Sequence, residues 1–165
     1  MATATYIPIA TQTLGSAAAS ITFSSIPGTY TDLRLVVSNI ITSGASSDSN
    51  LTFNGDTATN YSRTYLIGLG SSAISGAPTS QNNIPLDFAG TSTTIPSMYE
   101  IDVFSYAGST NKTLLCSASE DDNGSGRVTI EVGLWRNTSA ITSITLGSTG
   151  VITFSTGTIA TLWGI

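Results

Sequence analysis

Three carboxylates are the side chains whose types and spacing come nearest to chemistry. Glu100 and Asp102 stand two residues apart, and Glu131 follows on a later apolar segment. Two carboxylates across a groove suit glycoside hydrolysis, one as acid and one as base or nucleophile. Alternation along a half-buried strand places Glu100 and Asp102 on one polar face just as well, with no chemistry required. The chain contains no histidine. This removes Ser-His-Asp and Cys-His nucleophile pairs and most zinc sites. The single cysteine, Cys116, lies in an apolar run and reads as a small buried hydrophobe. It has no partner in the chain for a disulfide.

The acidic segment 120–126 (EDDNGSG) groups several hard oxygen donors that would suit calcium. It lacks the alternating ligands and distant glutamate of an EF-hand, and a solvated hairpin tip accounts for it. Tyr61, Tyr65, Tyr99, Phe104, Tyr106, Trp135 and Trp163 could line a sugar-binding patch. Most of them lie inside alternating runs, so core or subunit contacts are the simpler assignment. Five Asn-X-Ser/Thr sequons, at Asn50, Asn60, Asn111, Asn123 and Asn137, are what chance gives in so hydroxyl-rich a chain.

Composition sets the class. The chain has 165 residues, of which 9% are charged and 40% hydrophobic. Ser and Thr make up roughly a third, well above ordinary usage. Threonine is β-branched and suits the open face of a sheet. The net charge is −5, with cations only at Arg34, Arg63, Lys112, Arg127 and Arg136. Five scattered cations make no footprint for a phosphate backbone, so nucleic-acid binding is not expected. The N-terminus lacks a basic region followed by an apolar one, so no signal peptide is expected. No apolar run is long enough for a membrane helix. A surface this poor in charge has little to oppose association, which points to an oligomer or an assembly component.

The elements that would position these residues are strands. Residues 19–40 read as strand, tight turn at Ile26-Pro27-Gly28, and strand, the founding antiparallel pair. Leu33, Leu35 and Val37 are its expected core residues, with Tyr30 and Arg34 at the surface. Pro8 confines residues 6–9 to an edge strand or an arm, giving an extended segment 1–12 ahead of a single domain over 13–165. The arm is the element expected to leave the domain. Asn54-Gly55 is a hairpin signal. Residues 68–83 form the longest candidate loop. Residues 51–53, 61–69 and 84–88 read as short strands, 98–106 and 127–136 alternate cleanly with 112–119 as a strand between them, and residues 141–146, 151–154 and 158–165 complete the set. The apolar C-terminal segment is expected in a sheet beside an early strand. About eight to ten short strands without a helical period predict an all-β, single-domain antiparallel β-sandwich, jelly-roll-like in arrangement.

Several stretches together resemble a family: QTLGSAAASITFSSIPGTYTDLRL (residues 12–35), LTFNGD (51–56) with NYS (60–62), GLWRNTSAITSITL (133–146), and GTIATLWGI (157–165). They resemble small virion structural proteins of tailed bacteriophages, including aquatic phages and cyanophages. The resemblance covers nearly the whole chain. It implies a non-enzymatic β-sandwich module, without cofactor or metal, made in the host cytoplasm and carried on the virion. It implies a homotrimer acting as a capsid decoration (cement) protein on the major capsid protein lattice. The alternative is a tail-fibre or receptor-binding module that touches host glycan through residues 68–83 and 120–126. Tyr6, Ile7, Ile9, Tyr30 and Arg34 are the candidate assembly contacts. A carbohydrate-active enzyme built on Glu100, Asp102 or Glu131 is the third reading.

Overall fold

Alternating β-branched and aromatic runs with no helical period dictate strands, and strands are what forms. The structure is a computed structural model that describes residues 5–43, 47–89, 94–121, 123–148 and 153–165. Among these residues twelve strands occur: β1 (Ile7–Thr13), β2 (Ser20–Phe23), β3 (Leu33–Ile40), β4 (Ser47–Phe53), β5 (Tyr61–Gly68), β6 (Ala73–Gly76), β7 (Ile84–Ala89), β8 (Ser97–Phe104), β9 (Lys112–Glu120), β10 (Arg127–Trp135), β11 (Ile144–Ser148) and β12 (Ile159–Gly164). They form two antiparallel sheets. The larger has the order β1-β12-β3-β8-β9-β10-β5-β6, the smaller β2-β11-β4-β7.

The all-β sandwich expected from the sequence is therefore what the chain adopts, with twelve strands where eight to ten were expected. One strand, β6, lies wholly where the sequence suggested a loop, and β4 is longer than the short strand expected at 51–53. β4 begins inside the polar segment 42–50, and β6 interrupts the Gly/Ser-rich segment 68–83 to pair with β5. Of the expected strand at 151–154, residues 151 and 152 lie outside the described residues, and Phe154 makes isolated bridges to Ala18 and Thr42. The division into eight and four strands is more uneven than an eight-stranded, double-sheet jelly roll implies.

Residues 19–40 do not form a hairpin. β2 pairs with β11 in the small sheet, while β3 pairs with β12 and β8 in the large one. The intervening segment crosses from one sheet to the other over the end of the core. Ile26 is buried in this crossing, and its N–H donates to the Thr142 carbonyl at 3.0 Å. The Tyr106 hydroxyl donates to the Pro27 carbonyl, which pins the crossing to the β8–β9 turn. The cause is burial. Ile21 and Phe23 on one side and Leu33, Leu35 and Val37 on the other are all needed in the core. Facing each other across two sheets, both sets are covered; side by side in one sheet, they would leave that face open.

Asn54-Gly55 likewise turns the chain without making a hairpin. Both residues have positive φ (54° and 67°), and the Asp56 N–H closes the turn on the Phe53 carbonyl at 2.9 Å. The turn then delivers the chain from β4 in the small sheet to β5 in the large one.

The core lies between the sheets. Leu35, Val37, Tyr99, Ile101, Val103, Leu114 and Leu162 of the large sheet meet Ile21, Phe23, Leu51, Phe53, Ile84, Leu86, Ile144 and Leu146 of the small one. β1 is the edge of the large sheet, paired with β12 through six residue pairs, with a register shift at Pro8/Ala10. The C-terminal strand sits between β1 and β3, beside early strands as the sequence suggested. No helix of the described residues is long and apolar enough to cross a membrane.

Candidate interaction surface

The carboxylates are not brought together. Glu100 and Asp102 lie on the outer face of the large sheet, where both engage Arg34. Arg34 donates from Nε to Asp102 Oδ1 at 2.6 Å and from a terminal nitrogen to Oδ2 at 2.7 Å. Its other terminal nitrogen reaches Glu100 Oε1 at 2.7 Å. The hydrogen bonds to Asp102 raise the Arg34 pKa above its ordinary range. The Tyr6 ring covers this guanidinium, 5.3 Å from its carbon. Two carboxylates held by one arginine make a structural cluster on a sheet face.

Glu131 is on the opposite, inner face and is buried. It pairs with Arg63 at 3.0 Å, and the same Arg63 nitrogen donates to the Pro85 carbonyl at 2.7 Å. Arg63 also lies 4.4 Å from the Tyr65 ring. This pair ties β5 and β10 of the large sheet to β7 of the small one. Cys116 stands directly across from Glu131. Burial pushes the Cys116 thiol pKa well up, and the nearby Glu131 adds to it. A thiol so placed is neutral and inert.

The aromatics are chiefly core. Tyr61, Tyr99, Tyr106 and Trp135 are buried, so they form no sugar platform. Tyr61 and Trp135 stack at 6.2 Å, with Phe53 5.5 Å from Trp135. Trp135 Nε1 donates to Asp56 Oδ2 at 2.7 Å, and Asn60 Nδ2 donates to the same oxygen at 2.9 Å. The Ala58 N–H foremost, then Asn60 and Trp135, hold the Asp56 carboxyl below the usual carboxylate range. Burial pushes the Tyr61 hydroxyl up to about 12, and it donates to the Asp56 carbonyl at 3.0 Å. Asn54 completes the corner by accepting from the Thr142 and Ser143 N–H groups and donating to the Ala140 carbonyl. The segments 51–56, 60–62 and 133–146 thus meet in one inter-sheet corner.

Lys112 is a second buried device that the sequence did not disclose. Its ammonium donates to the carbonyls of Gly108, Thr110 and Thr138, tying the β8–β9 turn to the β10–β11 connection. Burial lowers its pKa. In the acidic segment, Asp122 lies outside the described residues. Glu120 is buried at the end of β9, and Asp121 accepts the Gly124 N–H at 2.9 Å. Among the described residues no three His, Cys, Asp or Glu side chains group to hold a metal.

The candidate assembly contacts separate. Tyr6 and Arg34 share the outer face. Ile7 is exposed on the edge strand, whereas Ile9 is half-buried and packs on the core. Tyr30 is on the inner side: its ring lies where a side chain at Gly164 would project, 2.3 Å from the Cβ an alanine would carry there. It packs on the core rather than reaching out.

The surface that sequence reasoning missed is on β10. Val128, Ile130 and Val132 are 63%, 49% and 51% exposed, while Thr129 and Glu131 between them are 5% and 2% exposed. Leu66, paired with Ile130, is 51% exposed. The apolar residues face out and the polar ones face in. The phase is set at the end of the strand. Trp135 must point inward to meet Tyr61 and Asp56. Position 133 faces inward as well, and it is glycine because a side chain there would strike Ile84 and Leu114. A period of two then sends Glu131 and Thr129 inward too. The signals for this in the sequence are the shared phase of Trp135 and Glu131 and the opposite charge of Arg63 and Glu131.

Register places these residues in rows across the outer face. Leu66, Ile130, Ser117, Glu100, Val36 and Thr161 form one row. Thr64, Val132, Leu115, Asp102, Arg34 and Trp163 form the next, and Gly68, Val128, Ser119 and Met98 the third. In these three rows the Arg34–Glu100–Asp102 cluster carries the only charges. No protein-family model matches the chain, and no curated protein matches its sequence.

Proposed function

We propose that this chain is a non-enzymatic structural module of a tailed-phage virion, acting as a head decoration (cement) protein. It works by adhesion, as a homo-oligomer seated on the major capsid protein lattice. The observation that supports this reading best is the outer face of the large sheet. An eight-stranded sheet presents aliphatic and hydroxyl side chains to solvent, with one internally paired charge cluster. Exposed apolar faces of this kind suit contact with another protein. The titratable groups support the same reading: the three candidate carboxylates are divided between two arginines on opposite faces, and the thiol is buried. The resemblance of the four sequence stretches supplies the phage context.

Quantitative mass spectrometry of purified particles tests the proposal. Hundreds of copies per virion are expected, together with a loss of heat resistance in particles that lack the protein. A handful of copies would overturn the head reading in favour of the tail-fibre alternative. Absence from particles would overturn both.

A further inference from the structure

We propose that Asn123-Gly124, at the tip of the β9–β10 hairpin, is a self-modification site that converts slowly to aspartate and isoaspartate, while the fold holds Asn54-Gly55 intact. The inference does not depend on the assembly reading above. Three observations carry it.

First, the chain has two Asn-Gly steps, at 54–55 and 123–124. Asparagine is among the thermolabile side chains. It reacts when the backbone nitrogen of the next residue attacks its side-chain carbonyl carbon and closes a five-membered ring. Glycine in that next position has no Cβ to hinder the attack. The two steps have similar φ angles, 54° and 67° at Asn54 and Gly55, and 51° and 90° at Asn123 and Gly124. Residue type and φ therefore do not separate them; the surroundings of the two amides do.

Second, the Asn54 amide is locked. Its Nδ2 donates to the Ala140 carbonyl at 2.8 Å, and its Oδ1 accepts the N–H groups of Thr142 at 2.8 Å and Ser143 at 3.1 Å. The side chain cannot turn its carbon toward the Gly55 nitrogen without giving these up. Even at the low end of what such bonds contribute, losing all three slows the reaction about tenfold.

Third, the Asn123 amide is not held. The residue is exposed, and among the described residues its side chain makes no hydrogen bond. The tie at this step is the Gly124 N–H, which donates to Asp121 Oδ1 at 2.9 Å. Attack waits on that bond opening, and at an exposed hairpin tip opening costs little.

The step balances with water alone. Hydroxide takes the Gly124 amide proton, and the nitrogen bonds to Asn123 Cγ. The bond from Cγ to Nδ2 breaks, and Nδ2 leaves as ammonia after taking a proton from water. A second water opens the cyclic imide at either carbonyl, which gives aspartate or isoaspartate. Nothing is oxidised or reduced. The product takes the formal net charge of −5 one unit further negative, at a tip that already carries Glu120 and Asp121.

The test is peptide mapping of the full chain after incubation at neutral and at mildly alkaline pH. Trypsin releases Asn123 in the peptide 113–127 and Asn54 in the peptide 35–63. In the folded chain, mass spectrometry should show position 123 converting at least about tenfold faster than position 54, and faster at the higher pH. In denaturant the two positions should convert at similar rates. Position 123 unconverted in the folded chain but converted in denaturant overturns the proposal, as does position 54 keeping pace with it in the folded chain. A rate that does not rise with pH overturns the mechanism. Asn123→Gln should abolish the acidic species at this tip on isoelectric focusing with an unchanged circular dichroism spectrum. The same acidic species persisting in that variant overturns the assignment to Asn123.

Discussion

Replacing Glu131 with leucine tests whether the inverted phase of β10 is real. The carboxylate is buried 3.0 Å from an Arg63 nitrogen, with the two side chains 1% and 7% exposed. Removing one member of a buried ion pair leaves the other charge uncompensated, at a cost of about 3–5 kcal/mol. In a chain of this length each kcal/mol moves the unfolding midpoint by about 2–4 °C, so Glu131→Leu should lower it by about 6–20 °C. Arg63→Met should cost a similar amount. The double variant should regain most of the loss, because an apolar pair of similar volume is often neutral or better. It should fall short of wild type by about 1 kcal/mol, since the Pro85 carbonyl loses its donor. Urea unfolding of the four proteins closes a double-mutant cycle with a coupling of several kcal/mol. If each single variant costs under about 1 kcal/mol and the two effects add, Glu131 faces solvent, and the apolar outer face goes with it.

Other perturbations read other parts of the fold. Gly164→Ala places a Cβ against the Tyr30 ring and should cost about 1–3 kcal/mol in thermal unfolding; in a Tyr30→Ala background it should cost nothing further. Asp56 has its folded-state pKa held below its ordinary value of 3.8. Its stabilisation is complete above that value and is lost as pH falls through the lower folded one. The stability gap between wild type and Asp56→Asn should therefore be widest near neutrality and close in acid, as followed by urea titration across pH. Cys116 should resist Ellman's reagent at mildly alkaline pH in the folded protein and react fully in denaturant, because burial holds its thiol neutral.

Much of the fold was legible in the sequence because alternation is a local property. The phase of β3 and β8 follows from Leu33, Leu35 and Val37 and from Tyr99, Ile101 and Val103, all of them buried. The docking of the apolar C-terminal strand beside early strands was also foreseeable, since Leu162 needs cover. Pairing partners were not legible. Residues 19–40 and Asn54-Gly55 each carry a local turn signal. A turn signal states that the chain reverses, not whether the next strand lies alongside or across the core.

The candidate surface was the least legible part. Val128, Ile130 and Val132 are apolar and Glu131 is charged, yet the fold turns the first three outward and buries the glutamate. The physical reason lies at the far end of the strand, where Trp135 bonds to Asp56, 79 residues away in sequence. The sequence by itself determined the all-β class, most of the strand positions and the scarcity of charge. Only the tertiary structure decided which face of β10 looks outward. One inward-pointing tryptophan fixes the phase of a whole strand, and that choice depends on contacts far apart in the chain.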